Sequence, residues 1–91
     1  MHIHKTPKYQ LELKTILGCI AKDKINAMLN FRKELNKSLQ LLKNFPYKNR
    51  KSIYFEDENI RDMTYKGYTI IYEVFERKIE VFTIFNQNKP E

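Results

Sequence analysis

The side chains best suited to chemistry lie past the middle of the chain. Arg61 sits within Ile60-Arg61-Asp62-Met63-Thr64-Tyr65, and alternation places it on one strand face with Met63 and Tyr65. A guanidinium framed by apolar and aromatic side chains on an open sheet face suits phosphate or carboxylate recognition. A salt bridge to an Asp or Glu on a neighbouring strand explains the same pattern equally well. Just upstream, Lys48, Arg50 and Lys51 form a basic loop flanked by Tyr47 and Tyr54. Cations interleaved with aromatics suit single-stranded nucleic acid, where bases stack and phosphates pair; a solvated charged turn is the commoner fate of such a run. The polar tail from Asn86 to Glu91 carries amides able to meet a base edge, and Lys89 adds a cation. An ordinary ragged terminus is the plainer reading.

Other candidates are weaker. His2 and His4 share a strand face at a spacing of two, but no third metal ligand stands nearby, and a frayed N-terminal strand accounts for them. Glu56, Asp57 and Glu58 read as a solvated turn. Cys19 is the only cysteine, within Ile16-Leu17-Gly18-Cys19-Ile20-Ala21, and reads as a buried structural thiol. There is no glycine-rich phosphate loop, no Cys-x-x-Cys pair and no Ser/His/Asp set. Nothing here asks for a cofactor or a metal.

Composition sets the bounds. Ninety-one residues, 42% hydrophobic and 13% aromatic, suffice for one domain over 1–91 with one packed core. A chain this short buries only roughly 60–65% of its unfolded surface, so its stability margin is thin. The net charge of +6 favours nucleic acid, ribosome or an acidic protein, though a lysine-rich surface alone accounts for it nearly as well. One cysteine allows no internal disulfide and fits a reducing cytosol. No stretch approaches the ~20 apolar residues of a membrane span, and the first residues lack the apolar core of a secretion signal. A cytoplasmic protein with no membrane partner is expected.

The elements that must position these residues follow from periodicity. Residues 1–5 read as a short strand. Thr6-Pro7 starts a helix, Thr6 as cap and Pro7 at the first helical position. Tyr9, Leu13, Ile16, Leu17 and Ile20 form its apolar stripe. A second helix is expected after Asp23 as cap, burying Ile25, Met28, Leu29, Leu35, Leu39 and Leu42, and closing at Phe45-Pro46. The two should form an antiparallel hairpin. Beyond Pro46 the period changes to that of strands: Ile53 with Phe55, Met63 with Tyr65, then Tyr68–Phe75 and Ile79–Phe85, with Lys66-Gly67 and Glu76-Arg77 as turns. The expected fold is α+β in the order β-α-α-β-β-β, an N-terminal helical hairpin packed on one face of an antiparallel sheet whose other face is partly open.

Taken in order, these features resemble the RelE/ParE superfamily of type II toxin–antitoxin systems, over nearly the whole chain from Ile3 to Pro90. The resemblance rests on the short first strand, the helical hairpin, and the segment Leu41-Leu42-Lys43-Asn44-Phe45-Pro46-Tyr47-Lys48-Asn49-Arg50. It continues through Ile60-Arg61-Asp62-Met63, then Gly67-Tyr68-Thr69-Ile70-Ile71-Tyr72-Glu73-Val74, and the last strand with its tail.

The resemblance implies a growth-inhibiting toxin held in check by a cognate acidic antitoxin that occludes its working face. Two mechanisms live on such folds. RelE-like members cut messenger RNA in the ribosome, holding the scissile phosphate with Arg and Lys, often with a Tyr, His or Glu assisting. ParE-like members poison DNA gyrase by binding and are not enzymes. Fold alone does not choose between them. An arginine like Arg61 occurs in both branches, where it would be catalytic only in the RelE-like one. No histidine or tyrosine follows Tyr72, and general acid–base help is worth typically about 10²–10⁴-fold. The balance leans ParE-like, with Lys48, Arg50, Lys51, Arg61, Tyr65 and Lys89 as target-binding residues. The alternatives are a ribosome-dependent endoribonuclease and a non-toxic basic binding module or degenerate toxin.

Overall fold

The structure is a computed structural model that describes residues 1–86. Strand β1 spans His2–Lys5, helices α1 and α2 span Pro7–Asp23 and Ile25–Leu41, and strands β2 to β5 span Arg50–Lys51, Ile60–Tyr65, Tyr68–Val74 and Lys78–Asn86. The strands lie in the order β1-β5-β4-β3-β2. The helical hairpin on a sheet is therefore present as expected. The sheet, however, has five strands and is mixed: β1 pairs with β5 in parallel, the remaining pairs being antiparallel. The whole intervening chain connects β1 to β5, so no hairpin dictates their relative direction.

Thr6 caps α1 by accepting from the Tyr9 N–H at 3.1 Å, with Pro7 at the first turn. Asp23 does not cap α2. It is the last residue of α1, and the extended Lys24 forms the junction without a side-chain cap. Burial on α2 begins at Phe31 and continues through Leu35 and Leu39 to Leu42. Ile25 and Leu29 are exposed because the first turns of α2 lie outside the stretch that meets the sheet. Cys19 is exposed too, since the helical period turns it away from the Leu13, Leu17 and Ile20 stripe.

The core lies between the helices and one sheet face, where Tyr9, Leu35 and Leu39 meet Ile70, Tyr72, Val81 and Ile84. β1 covers β5 only as far as Val81. Beyond it, Thr6 Oγ1 donates to the Phe82 carbonyl at 2.8 Å, and Glu12 accepts from the Ile84 N–H at 3.2 Å and from Thr83 Oγ1 at 2.6 Å. The cap residue Thr6 and Glu12 of α1 thus satisfy backbone groups of β5 that β1 does not reach.

Ile53 and Phe55 do not form the expected strand. The strand in this region is Arg50–Lys51, and both apolar side chains stay exposed on the bends that follow. The Ser52 hydroxyl accepts from the Tyr54 N–H, a local turn that diverts the chain from the ladder.

Candidate functional site

Alternation along β3 does put Arg61 on one face with Met63 and Tyr65, but it is the face that the helices cover. Met63 belongs to the core, Tyr65 packs against it, and Arg61 pairs across the ladder with the fully buried Tyr72. Arg61 itself lies past the helices, near the end of that face, and is half-buried. Its Nε donates to the Glu58 carbonyl at 2.8 Å and its Nη1 to the Asn49 carbonyl at 3.2 Å. The Tyr47 ring lies over the guanidinium, 4.8 Å from centroid to carbon. The expected open sheet face around Arg61 is thus occupied by the chain's own loop.

The same loop is held from beneath by Tyr72. Its hydroxyl donates to the Pro46 carbonyl at 2.8 Å and accepts from Asn49 Nδ2 at 3.1 Å. Burial pushes the Tyr72 phenol pKa up, against the pull of Asn49 and Arg61, so the hydroxyl remains a donor. Tyr47 Oη donates to Asn59 Oδ1 at 2.8 Å, tying the two ends of the segment together.

On the opposite face, Asp62 performs a similar task. Its buried Oδ2 accepts from the Ile53 N–H at 3.1 Å and lies 3.5 Å from Arg50 Nη2, while its Oδ1 is buried without a partner. The Tyr54 ring packs edge-on against Phe85 at 5.6 Å. Asp62, Thr69 and Ile71 alternate onto this face and are buried, although the helices lie on the other side. The segment after β2 covers it.

Lys48, Arg50, Lys51 and Arg61 therefore gather at one end of the sheet, with Lys51 beside Arg61 and Arg50 beside Asp62 in the β2–β3 register. Tyr65 is not with them. It stands four residues along β3, roughly 13 Å away at strand rise, edge-on to Phe31 at 5.2 Å beneath α2. Lys89 lies outside the described residues. Tyr47 and Tyr54, expected to flank the cations as a stacking platform, point to opposite sides of the sheet. Tyr72, Asp62 and Asn49 were not singled out from the sequence; the only signal was the polar end of Tyr72 in a strand otherwise built for burial, since such a hydroxyl needs a partner.

The histidines share the face of Glu80, with His4 Nε2 3.9 Å from its Oε2. Among the described residues, no three His, Cys, Asp or Glu side chains come together in a way that would hold a metal.

A second surface lies between the helices. A groove of roughly 630 Å³ is lined by Tyr9, Leu13, Leu17 and Met28, with Lys5, Lys14 and Arg32 also on its walls. The Tyr9 hydroxyl is buried without a hydrogen-bond partner, and burial pushes its pKa up to about 12. Gly18 also lines the groove, and a Cβ added there would meet nothing within 4 Å.

A family model described as the ParE toxin of type II toxin-antitoxin systems, parDE, matches residues 3–90. Among solved structures, the chromosomal ParDE toxin–antitoxin system from P. aeruginosa is similar to this chain. The TM-score is 0.76 at 16% sequence identity, covering 94% of this chain and 95% of that one. No curated protein matches.

Proposed function

The chain belongs to the ParE toxin family of type II toxin–antitoxin systems, and we propose that it acts in the cytoplasm, arresting growth by binding DNA gyrase rather than by cutting RNA. The observation that carries this reading is the state of Arg61. A nuclease of the RelE kind needs that guanidinium aimed at a phosphate. Here two of its donor nitrogens bind loop carbonyls, and an aromatic ring lies over its carbon. The more exposed cations at this end of the sheet are Lys48, on the loop before β2, and Arg50 and Lys51, on the short edge strand β2 itself. They suit docking on an acidic surface better than proton transfer.

The family brings a cognate antitoxin, and the groove between α1 and α2 supports an acidic amphipathic segment as its form. Leu13, Leu17 and Met28 offer apolar area, and Lys5, Lys14 and Arg32 offer charge.

Inducing the gene without its antitoxin tests the reading. Filamenting cells with a DNA-damage response and intact messages are expected. Codon-positioned cuts in translated messages, abolished by Arg61→Ala, would establish the ribosome-dependent nuclease instead. Unimpaired growth would point to a degenerate toxin.

A further inference from the structure

The segment from Phe45 to Phe55 has three features that do not usually coincide in a surface loop. It is cationic, carrying Lys48, Arg50 and Lys51 with no acidic residue between Glu34 and Glu56. It exposes large apolar side chains: Phe45 is 59% exposed, Ile53 66% and Phe55 45%. It is also tied down along its length. Tyr72 holds Pro46 and Asn49, Arg61 holds Asn49, and Asp62 holds Ile53. Exposed aromatic and aliphatic side chains on a solvated loop cost solubility unless something covers them. A loop fixed by buried side chains has little ordering entropy left to lose when it binds.

We infer that this segment is a preformed clasp around the β2 edge of the sheet that grips a protein surface apolar at its centre and acidic at its rim, with Tyr72 and Arg61 as positioning residues that hold the clasp without touching the partner. The inference rests on the reading of this chain as a toxin that acts by binding its target, and adds where and how it binds.

Two observations favour protein over nucleic acid as the occupant. Base stacking needs free ring faces arranged along one groove. Tyr47 spends a face on Arg61, and Tyr54 lies on the other side of the sheet against Phe85. What remains exposed is an apolar side chain set among cations, the anatomy of a protein interface with an apolar core and a charged rim. Lys51 and Tyr47 lie on the helix side and Arg50 and Tyr54 on the other, so the partner must reach both sides of the edge.

The test uses the full-length chain, purified free of antitoxin, with gyrase and a 20-nucleotide single-stranded DNA as probes and the cognate antitoxin as control. Ile53→Ser and Phe45→Ser remove exposed apolar area without touching the core. Tyr72→Phe and Arg61→Lys loosen the clasp and leave its surface chemistry unchanged. Each variant should weaken gyrase binding about tenfold or more, while antitoxin affinity through the helical groove stays within about twofold. Amide exchange at Lys48, whose N–H bonds the Phe45 carbonyl beside the stretch Tyr72 holds, should speed up in Tyr72→Phe and not in Ile53→Ser. Full gyrase binding by Ile53→Ser and Phe45→Ser would overturn the inference. So would equal losses of gyrase and antitoxin affinity in Tyr72→Phe, or oligonucleotide binding tighter than gyrase binding. If the unmodified chain does not bind gyrase, the gyrase reading fails by itself. Ile53→Ser and Phe45→Ser scored for growth arrest then decide the clasp: arrest lost in both supports it, and arrest retained in either overturns it.

Discussion

Tyr72 in the middle of the sheet and Pro46 at the exit of the helical hairpin are joined by one hydrogen bond of 2.8 Å, from a fully buried phenol to a backbone carbonyl. That bond links the core to the cationic loop. The Pro46 carbonyl would otherwise need another donor, and Asn49 would lose its acceptor. Buried polar groups left unmatched are costly, whereas the net value of a satisfied bond is modest.

Replacing Tyr72 with Phe should therefore lower unfolding free energy by about 1–2 kcal/mol, and replacing it with Ala by about 3–5 kcal/mol through the added cavity. Urea denaturation of the two variants separates the contributions. Equal losses in both would mean that the hydroxyl rather than the ring dominates.

The β3–β4 turn offers a stabilising change. Lys66 has φ 46° and Gly67 φ 84°, the left-handed pair of a two-residue hairpin turn. Lysine is strained there and asparagine is not. Lys66→Asn should stabilise by on the order of 0.5 kcal/mol, a rise in Tm of roughly 2–4 °C for a chain of this size. Gly67→Ala should lower Tm instead. Calorimetry reads both, and a Tm lowered by Lys66→Asn would refute the strain.

Gly18 should give opposite outcomes with two substitutions. It is exposed within α1, where alanine is a better helix former by about 1 kcal/mol, and an added Cβ meets nothing. Gly18→Ala should raise Tm and preserve antitoxin binding. Gly18→Phe should keep the fold but fill the groove and weaken the antitoxin at least tenfold by isothermal titration calorimetry. Undiminished antitoxin affinity in Gly18→Phe would exclude the groove as its site.

Two glutamates should respond to acid in opposite directions. Burial raises the Glu12 pKa, but hydrogen bonds from Thr83, Lys8 and Ile84 outweigh it and hold the carboxyl below its ordinary 4.5. Its contribution is present above that value and is lost as pH falls through the lower folded value. Glu73 is raised by burial and by Asp57 and Glu80. Its ionised form destabilises the fold, and that cost disappears as pH falls below its raised value. Glu12→Gln should lower Tm near neutrality and Glu73→Gln should raise it, both differences shrinking towards pH 3. Melting curves from pH 3 to 7 check the signs.

Much of this molecule is legible in local pattern. The Thr6-Pro7 start, the Leu35, Leu39 and Leu42 stripe and the alternation of β4 and β5 follow from residue type and spacing, because caps, amphipathic stripes and pleats are local. What escapes such reading is long-range. Nothing near Arg61 in sequence says that its face is the one the helices cover, since alternation fixes which residues share a face and not which face is covered. The partners of Arg61 and Tyr72 are loop carbonyls, and a carbonyl leaves no mark in the sequence. Ile53 and Phe55 have the spacing of a strand but no strand beside them to pair with, because Asp62 captures the Ile53 N–H and Ser52 turns the chain. Cys19 sits in an apolar run, yet one step off the stripe was enough to expose it.

The most direct measurement is a DNA supercoiling assay with purified gyrase and the antitoxin-free chain, run beside a ribosome-programmed RNA cleavage assay on the same preparation. Supercoiling should stop at toxin concentrations that leave the message whole, and adding antitoxin should restore it. Message cleaved at codon boundaries while gyrase works unhindered would contradict the binding mechanism and return Arg61 to the role of a catalytic residue.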